Sequence, residues 1–403
     1  MLPLAELSET ERRLRATALS SQNIADYLMS VGLWTKGQRI NSIEPLPGKN
    51  FNLRVQGGDL DLLVKQAPCE LDGRFCEDLL QASWFYQMLH EVGLSDLTAR
   101  VVQPLYFDRS WATLVFPFLR DVQNLSEFYD RARSDAGQEA VLPVSVASDV
   151  GETFAALHRS TFRCETVKSF WMMQFYGSEL EEQLVPDFLV GLRRLTPETF
   201  CLISTDALKF FRFYQRYPEI EAAMLELSAA FVPCCAVHDD PRFANLLMRS
   251  GGELLLIDWE KWRWGDPAYD LGQILAGYLV MWLESLPISA QLDLGMALSL
   301  AAVPLSAIAP STQALLQRYL VCFPQILRAR PDFVVRVTQF VGLALMRQVQ
   351  RDISQKQPIG NIELAMAQVA KSLLCQPASS ISSVFGCEVD VFESCIQQEV
   401  VCS

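Results

Sequence analysis

His238-Asp239-Asp240-Pro241-Arg242-Phe243-Ala244-Asn245 opens the stretch that decides how this chain folds; Leu254-Leu255-Leu256-Ile257-Asp258-Trp259-Glu260 and Gly265-Asp266-Pro267-Ala268-Tyr269-Asp270-Leu271 complete it. Two apolar runs, Leu246-Leu247 and 254–257, flank the polar Met248-Arg249-Ser250-Gly251-Gly252-Glu253, which is the pattern of a β-hairpin. A hairpin returns its second strand beside its first, so the spacing predicts that Asn245 and Asp258 lie near each other. Two oxygen ligands so placed suit Mg²⁺, which takes one or two side chains and leaves its other positions to water and phosphate.

His238, Asp240 and Asn245 stand in the order and spacing of the H-x-D-x-x-x-x-N catalytic loop of kinases, and Asp258 stands where a kinase holds its metal-binding aspartate. Protein kinases carry Asp-Phe-Gly there. The Asp258-Trp259-Glu260 of this chain, followed by Gly-Asp-Pro-Ala-Tyr-Asp-Leu, resembles the aminoglycoside phosphotransferase and choline kinase-like branch of that superfamily. Any one segment alone would read as a turn with a few surface carboxylates; three in the correct order make the signal specific.

The resemblance implies an α+β, protein kinase-like fold of two lobes, a small antiparallel β lobe and a larger, mainly helical one. It implies transfer of the ATP γ-phosphoryl group, with Mg²⁺, to a hydroxyl of a small acceptor such as an aminoglycoside, an amino alcohol or a sugar. Asp240 would then orient the hydroxyl and accept its proton, Asn245 and Asp258 would bind Mg²⁺, His238 would support the catalytic loop, and Asp270 would brace that loop through backbone amides. The family usually has a small residue where this chain has Asp239. Asp240 is the better base, because Asn245 is counted from it; Asp239 and Glu260 stand as further candidates. Two other readings stay open: a peptide or protein Ser/Thr kinase of the same fold, and a non-catalytic nucleotide-binding relative.

Upstream, the pattern is of strands. Ile43 to Leu46, Leu53-Arg54-Val55 and Leu60 to Lys65 form two or three antiparallel strands, with Gly48, Asn50, Phe51 and Asn52 in the loop that covers the nucleotide phosphates in the resembled family. Lys65 ends an apolar strand and is the candidate phosphate-binding lysine. Its glutamate partner is unsettled. Glu77 is the acidic candidate, but the family position falls near Gln81 or Ala82, about one helical turn later. The apolar strand 111–119 would be the hinge, where backbone groups near Phe116 and Phe118 meet the nucleotide base and Pro117 removes a donor. His158, at the end of a helical pattern over 146–159, reads as structural.

The domains expected are a helical N-terminal extension over 1–34, a nucleotide-binding lobe over 35–118, a helical catalytic and acceptor-binding lobe over 119–375 and a flexible tail over 376–403. That tail is rich in Ser and Cys, with little apolar surface to offset the entropy of ordering it. Within the large lobe, the aromatics and acidic residues of 165–232 form either a cation-holding acceptor wall or a helical hairpin with an aromatic core.

Composition bounds the partners. The 403 residues are 50% hydrophobic and 20% charged, a globular composition, and the net charge of −13 gives no electrostatic case for nucleic acid. Eleven cysteines without a C-x-x-C pair and three histidines speak against a zinc site and for reduced thiols, hence a cytoplasmic protein. The run 294–309, broken by Gly295 and Pro304, is too short for a membrane span and reads as a buried helix pair. Oligomeric state carries no sequence signal.

Overall fold

The computed structural model describes residues 19–68, 75–135, 142–173, 185–190, 207–287, 294–355 and 359–394, with positions 192, 204, 205 and 292. The described chain divides into two compact units. One runs up to Val122 and takes in Leu256–Trp262; the other comprises Gln123–Leu255 and the residues from Arg263 onward.

The first unit is built on an antiparallel sheet of β1 (Ser42–Leu46), β2 (Phe51–Gly57), β3 (Leu60–Gln66), β4 (Tyr106–Asp108) and β5 (Thr113–Pro117), in the order β1-β2-β3-β5-β4. Side chains alternate across a strand, so Leu62, Val64 and Gln66 of β3 are buried on one face and Lys65 belongs to the other. The buried face packs with Val55 and Val115 against Ile24, Tyr27 and Leu28 of helix α1 (Ile24–Ser30) and against Trp34. Residues 19–34 are therefore part of this unit's core rather than a separate extension, because the apolar stripe of α1 has the sheet to cover.

Helix α2 (Asp78–Val92) presents Phe85 and Gln81 to the segment Leu256–Trp262. Trp259 is fully buried and stacks on Phe85, with ring centroids 3.6 Å apart and planes 10° from parallel. Trp262 Nε1 donates to the carbonyl of Gln81 at 2.7 Å, and Gln81 Nε2 donates to the carbonyl of Trp262 at 2.8 Å. The Leu256 amide donates to the Arg100 carbonyl at 2.8 Å. These contacts make a segment from the middle of the sequence integral to the first unit.

The second unit is mainly helical: α3 (Leu125–Asp135), α4 (Val144–Thr161), α5 (Pro267–Glu284), α6 (Leu305–Cys322), α7 (Phe333–Ser354) and α8 (Asn361–Cys375). Two glycines let these helices touch backbone to backbone. A Cβ on Gly151 of α4 would stand 2.1 Å from the Leu315 carbonyl of α6, and one on Gly272 of α5 would stand 2.3 Å from Cβ of Phe340 on α7. A two-stranded and a three-stranded sheet carry the loops of interest. β6 (Cys235–Val237) pairs antiparallel with β9 (Arg263–Gly265). β7 (Leu246–Arg249) and β8 (Leu254–Leu256) form the hairpin expected from the sequence, turned by bonds from the Arg249 amide to the Glu253 carbonyl and from the Gly252 amide to the Arg249 carbonyl, both 2.9 Å.

Two expectations need correction here. The tail is not free over 377–394. Helix α9 (Pro377–Phe385) buries Ile381, Val384 and Phe385, spaced i, i+3, i+4, and Phe392 packs edge-on to Phe385 with centroids 5.2 Å apart. Thr312 Oγ1 donates to the Val384 carbonyl at 2.7 Å, which ties α9 to α6. Of the four serines of this helix, Ser379 and Ser383 are exposed, Ser382 is half-buried and Ser380 is buried. The run 294–309 is not a buried pair: it supplies a short helix, Leu294–Ser299, and the start of α6, and Met296 and Leu300 are exposed. No helix among the described residues is long and apolar enough to cross a membrane. Of the two readings open for 165–232, Trp171, Phe210, Phe211 and Tyr214 follow the aromatic-core one, being buried; Phe175, Tyr176, Glu179, Glu181 and Glu182 lie outside the described residues, as do 1–18 and Cys395 and Cys402.

Candidate active site

In the first unit, Lys65 meets two carboxylates of one short segment. Its Nζ lies 2.5 Å from Asp258 Oδ1 and 3.0 Å from Glu260 Oε1. The segment can place both because Asp258 has a left-handed backbone, φ 71°, a conformation Asp tolerates better than most residues, and a 3₁₀ turn, Trp259–Lys261, follows. Trp259, stacked on Phe85, anchors the turn between the two acids. Asn50 Nδ2 also donates to Glu260 Oε1. Burial raises the pKa of Glu260 above the usual carboxylate value, with the Asp258 charge adding and the Lys65 ammonium opposing. For Lys65, burial works against the ammonium, but Asp258 and Glu260 outweigh it and hold the pKa above that of an ordinary lysine.

The partner of Lys65 is thus Glu260 together with Asp258, and not Glu77. Glu77 is exposed at the residue before α2 and makes no side-chain capping bond there. Gln81, the neutral residue at the expected glutamate position, is instead bonded to Trp262. The sequence placed Glu260 two residues beyond Asp258 without showing that it turns back to the lysine. In the loop between β1 and β2, Gly48 has φ 155°, Asn50 is buried, Phe51 is about half exposed and Asn52 Nδ2 donates to the Pro47 carbonyl at 3.4 Å. At the hinge, Phe116 is buried beside Tyr86. The Phe118 amide, expected at the nucleotide base, already donates to the Asp61 carbonyl at 2.8 Å. With Pro117 lacking an N–H, neither residue offers the base a backbone donor.

In the second unit, the catalytic-loop sequence follows β6. Asp270, in the first turn of α5, is fully buried and accepts two backbone bonds from it: the His238 amide at 2.7 Å on Oδ2 and the Asp239 amide at 2.9 Å on Oδ1. His158 Nε2 lies 3.2 Å from Asp270 Oδ2, and its Nδ1 lies 3.1 Å from Tyr319 Oη, so this histidine orients the bracing carboxylate from inside the helical core. The helix starts where it does because Asp266 caps it, accepting from the Ala268 amide at 2.9 Å, and Pro267 occupies the first turn.

Asp239 has φ 66°. That left-handed position explains the usual small residue there and why Asp is accepted in its place. The turn carries Asp240 onward, and Asn245 Nδ2 donates to the Asp240 carbonyl at 3.0 Å. Arg242, two residues on, grips both oxygens of the Asp240 carboxylate, Nε to Oδ1 and Nη2 to Oδ2, each at 3.2 Å. No local sequence pattern signals this fork.

Asp240 and Arg242 line an open cavity of about 390 Å³ bordered by α3, α5 and α7 of the second unit, with Tyr129, Tyr269, Gln273 and Met281 among its walls. Its size suits a small-molecule ligand.

The model of a family described as "Phosphotransferase enzyme family" matches residues 43–296, more than half of the chain. No curated protein matches. Among solved structures, an ethanolamine kinase of Plasmodium vivax superposes with a TM-score of 0.52 at 11% identity, covering 94% of this chain and 96% of its own. A choline kinase of Streptococcus pneumoniae gives 0.49 at 12% identity, covering 88% and 98%; a spectinomycin phosphotransferase determined with ADP and spectinomycin gives 0.45 at 12%, covering 89% and 99%. The first of these shows the kinase-like fold.

Proposed function

We propose a mechanism for a chain that belongs to the phosphotransferase enzyme family and is a phosphotransferase with the kinase-like α+β fold: it moves the γ-phosphoryl group of ATP to a hydroxyl of a small molecule seated in the cavity at Asp240. The observation that carries this reading is the position of Asp240, a carboxylate on a braced loop that lines a cavity open to solvent. Asp240 orients the acceptor hydroxyl. As the acceptor oxygen bonds to the γ-phosphorus, the bridging β,γ P–O bond breaks, ADP departs with that electron pair, and the hydroxyl proton passes to Asp240. Such transfers need positioning and charge stabilisation more than covalent help. Arg242 fixes the carboxylate plane, and Asp270 fixes the loop that bears it.

Lys65 holds the phosphates. The residues around it fit Mg²⁺: two carboxylates share one ammonium, leaving a net negative pair of hard oxygen donors of the kind this ion accepts alongside phosphate. Asp258 is its proposed ligand in this unit, with Glu260 beside it, and the ion would neutralise charge on the phosphates. The hinge relies on contacts other than amides 117 and 118 for the base. The decisive test is Asp240→Asn, which should keep Mg²⁺-ATP binding and lower turnover by about 10²-fold or more. Unchanged turnover would remove Asp240 from the reaction.

A further inference from the structure

The charges around the cavity do not suit a cationic acceptor. Four guanidinium groups line it, from Arg133, Arg242, Arg347 and Arg351, against three carboxylates, Asp130, Asp240 and Glu284. Two of the acids are taken: Asp240 by the Arg242 fork and Asp130 by Arg133. The other two arginines have neutral hydrogen-bond partners among the described residues. Arg347 donates to Tyr269 Oη at 2.7 Å and to the Asp187 carbonyl at 3.4 Å; Arg351 donates to Gln348 Oε1 at 2.6 Å.

Arg347 and Arg351 are four residues apart on α7, one turn of the same face, where like charges repel. Arg351 sits below the ordinary guanidinium pKa, mainly through burial, with Arg242 and Arg347 adding to it and Asp240 and Asp352 opposing. Glu284, the remaining acid, is pushed the other way, toward its neutral form, chiefly by burial, with Arg133 opposing. An anion would relieve both arginines at once. The guanidinium fork matches a carboxylate or phosphate bidentately, and a rise of about 6 Å over four residues lets one such group bridge two forks.

We propose that the acceptor carries an anionic group, a carboxylate or a phosphate ester, beside its reacting hydroxyl, and that Arg347 and Arg351 hold this group while Asp240 addresses the hydroxyl. The inference rests on the phosphotransferase reading of the Asp240 site. The anionic group itself takes no part in bond making.

The test measures ATP turnover, over the acceptor-free rate, with two series matched in size: glycerol, ethanolamine, glycerate and glycerol phosphate; glucose, glucosamine, gluconate and glucose 6-phosphate. Each is supplied above about 1 mM, the upper end of ordinary KM values. The carboxylate or the phosphate members should accelerate turnover, and which of the two does so identifies the group. Arg351→Gln and Arg347→Gln should each raise KM for that acceptor about ten- to a hundredfold, the scale of one lost charged bond, while KM for ATP and the melting temperature stay put. Because Arg347 also packs on Tyr269 and Phe188, Arg347→Lys, which keeps charge and loses the fork, is the second variant at that position. Acceleration confined to the amine or neutral members overturns the proposal. So does acceleration by the anions that survives in the arginine variants, or silence of every anionic member while Mg²⁺-ATP still binds. Asp240→Asn separates the two levels: if it abolishes turnover on an amine acceptor, the phosphotransferase reading stands and the anionic acceptor falls.

Discussion

Removing the ammonium of Lys65 should expose how the first unit's charges are balanced. We predict that Lys65→Met leaves Asp258 and Glu260 facing each other across the position Nζ had bridged at 2.5 and 3.0 Å. The carboxylates are 27% and 9% exposed, so water screens Asp258 in part and Glu260 hardly at all. Deleting one partner of a buried pair costs about 3–5 kcal/mol; with Asp258 partly solvated, the lower end, about 3 kcal/mol, is expected. The variant should also bind Mg²⁺ without nucleotide, since the site gains one unit of negative charge. At a hundredfold excess over Kd the ion would return about 2.7 kcal/mol. Urea unfolding with and without Mg²⁺ reads both effects, and Lys65→Met/Glu260→Gln should be more stable than Lys65→Met alone, because the repulsion has gone. A single variant within about 0.5 kcal/mol of the parent, with no added response to Mg²⁺, would refute the reasoning.

Two further outcomes follow from the packing and from pH. Phe385→Ala empties a fully buried site and should cost about 3–5 kcal/mol; truncation after Cys375 should lower the melting temperature, and unchanged stability in both would mean that α9 is not docked in solution. Asp61 is held at about 2, against an ordinary 3.8, first by the Arg54 fork and, despite opposing burial, also by Arg120 and Gln56. Its carboxylate therefore stabilises the fold fully above about pH 4 and loses that effect as pH falls toward 2. The melting-temperature gap between the parent and Asp61→Asn should close over that interval, and a gap that does not change with pH would contradict this.

The parts of the site that could be read from the sequence are those in which one short motif does a local job. The hairpin between Asn245 and Asp258 follows from two apolar runs around a glycine turn, and the first strands follow from alternation. What escaped was set by partners distant in sequence. No local pattern says that Gln81 on α2 will bond to the backbone of Trp262, or that Glu260 will take the place of a helix glutamate beside Lys65. The Arg242 fork lies within two residues of Asp240, yet which way an arginine swings depends on the surrounding cavity. The order of the tail is hidden for a different reason: its apolar residues are few but fall on one helical stripe, and composition averages that stripe away.

The segment Leu256–Trp262 also bears on how the chain is made. A nascent chain ending at Val122 has every strand of the first sheet but lacks Trp259, so the ring of Phe85 has no partner stacked on it. The missing residues emerge about 140 residues later, roughly ten seconds or more of synthesis at ordinary elongation rates. Until then the first unit presents an open aromatic seam and an unmatched lysine. Its closure is thereby coupled to the arrival of the two carboxylates, so a finished first unit is one that already carries Asp258 and Glu260.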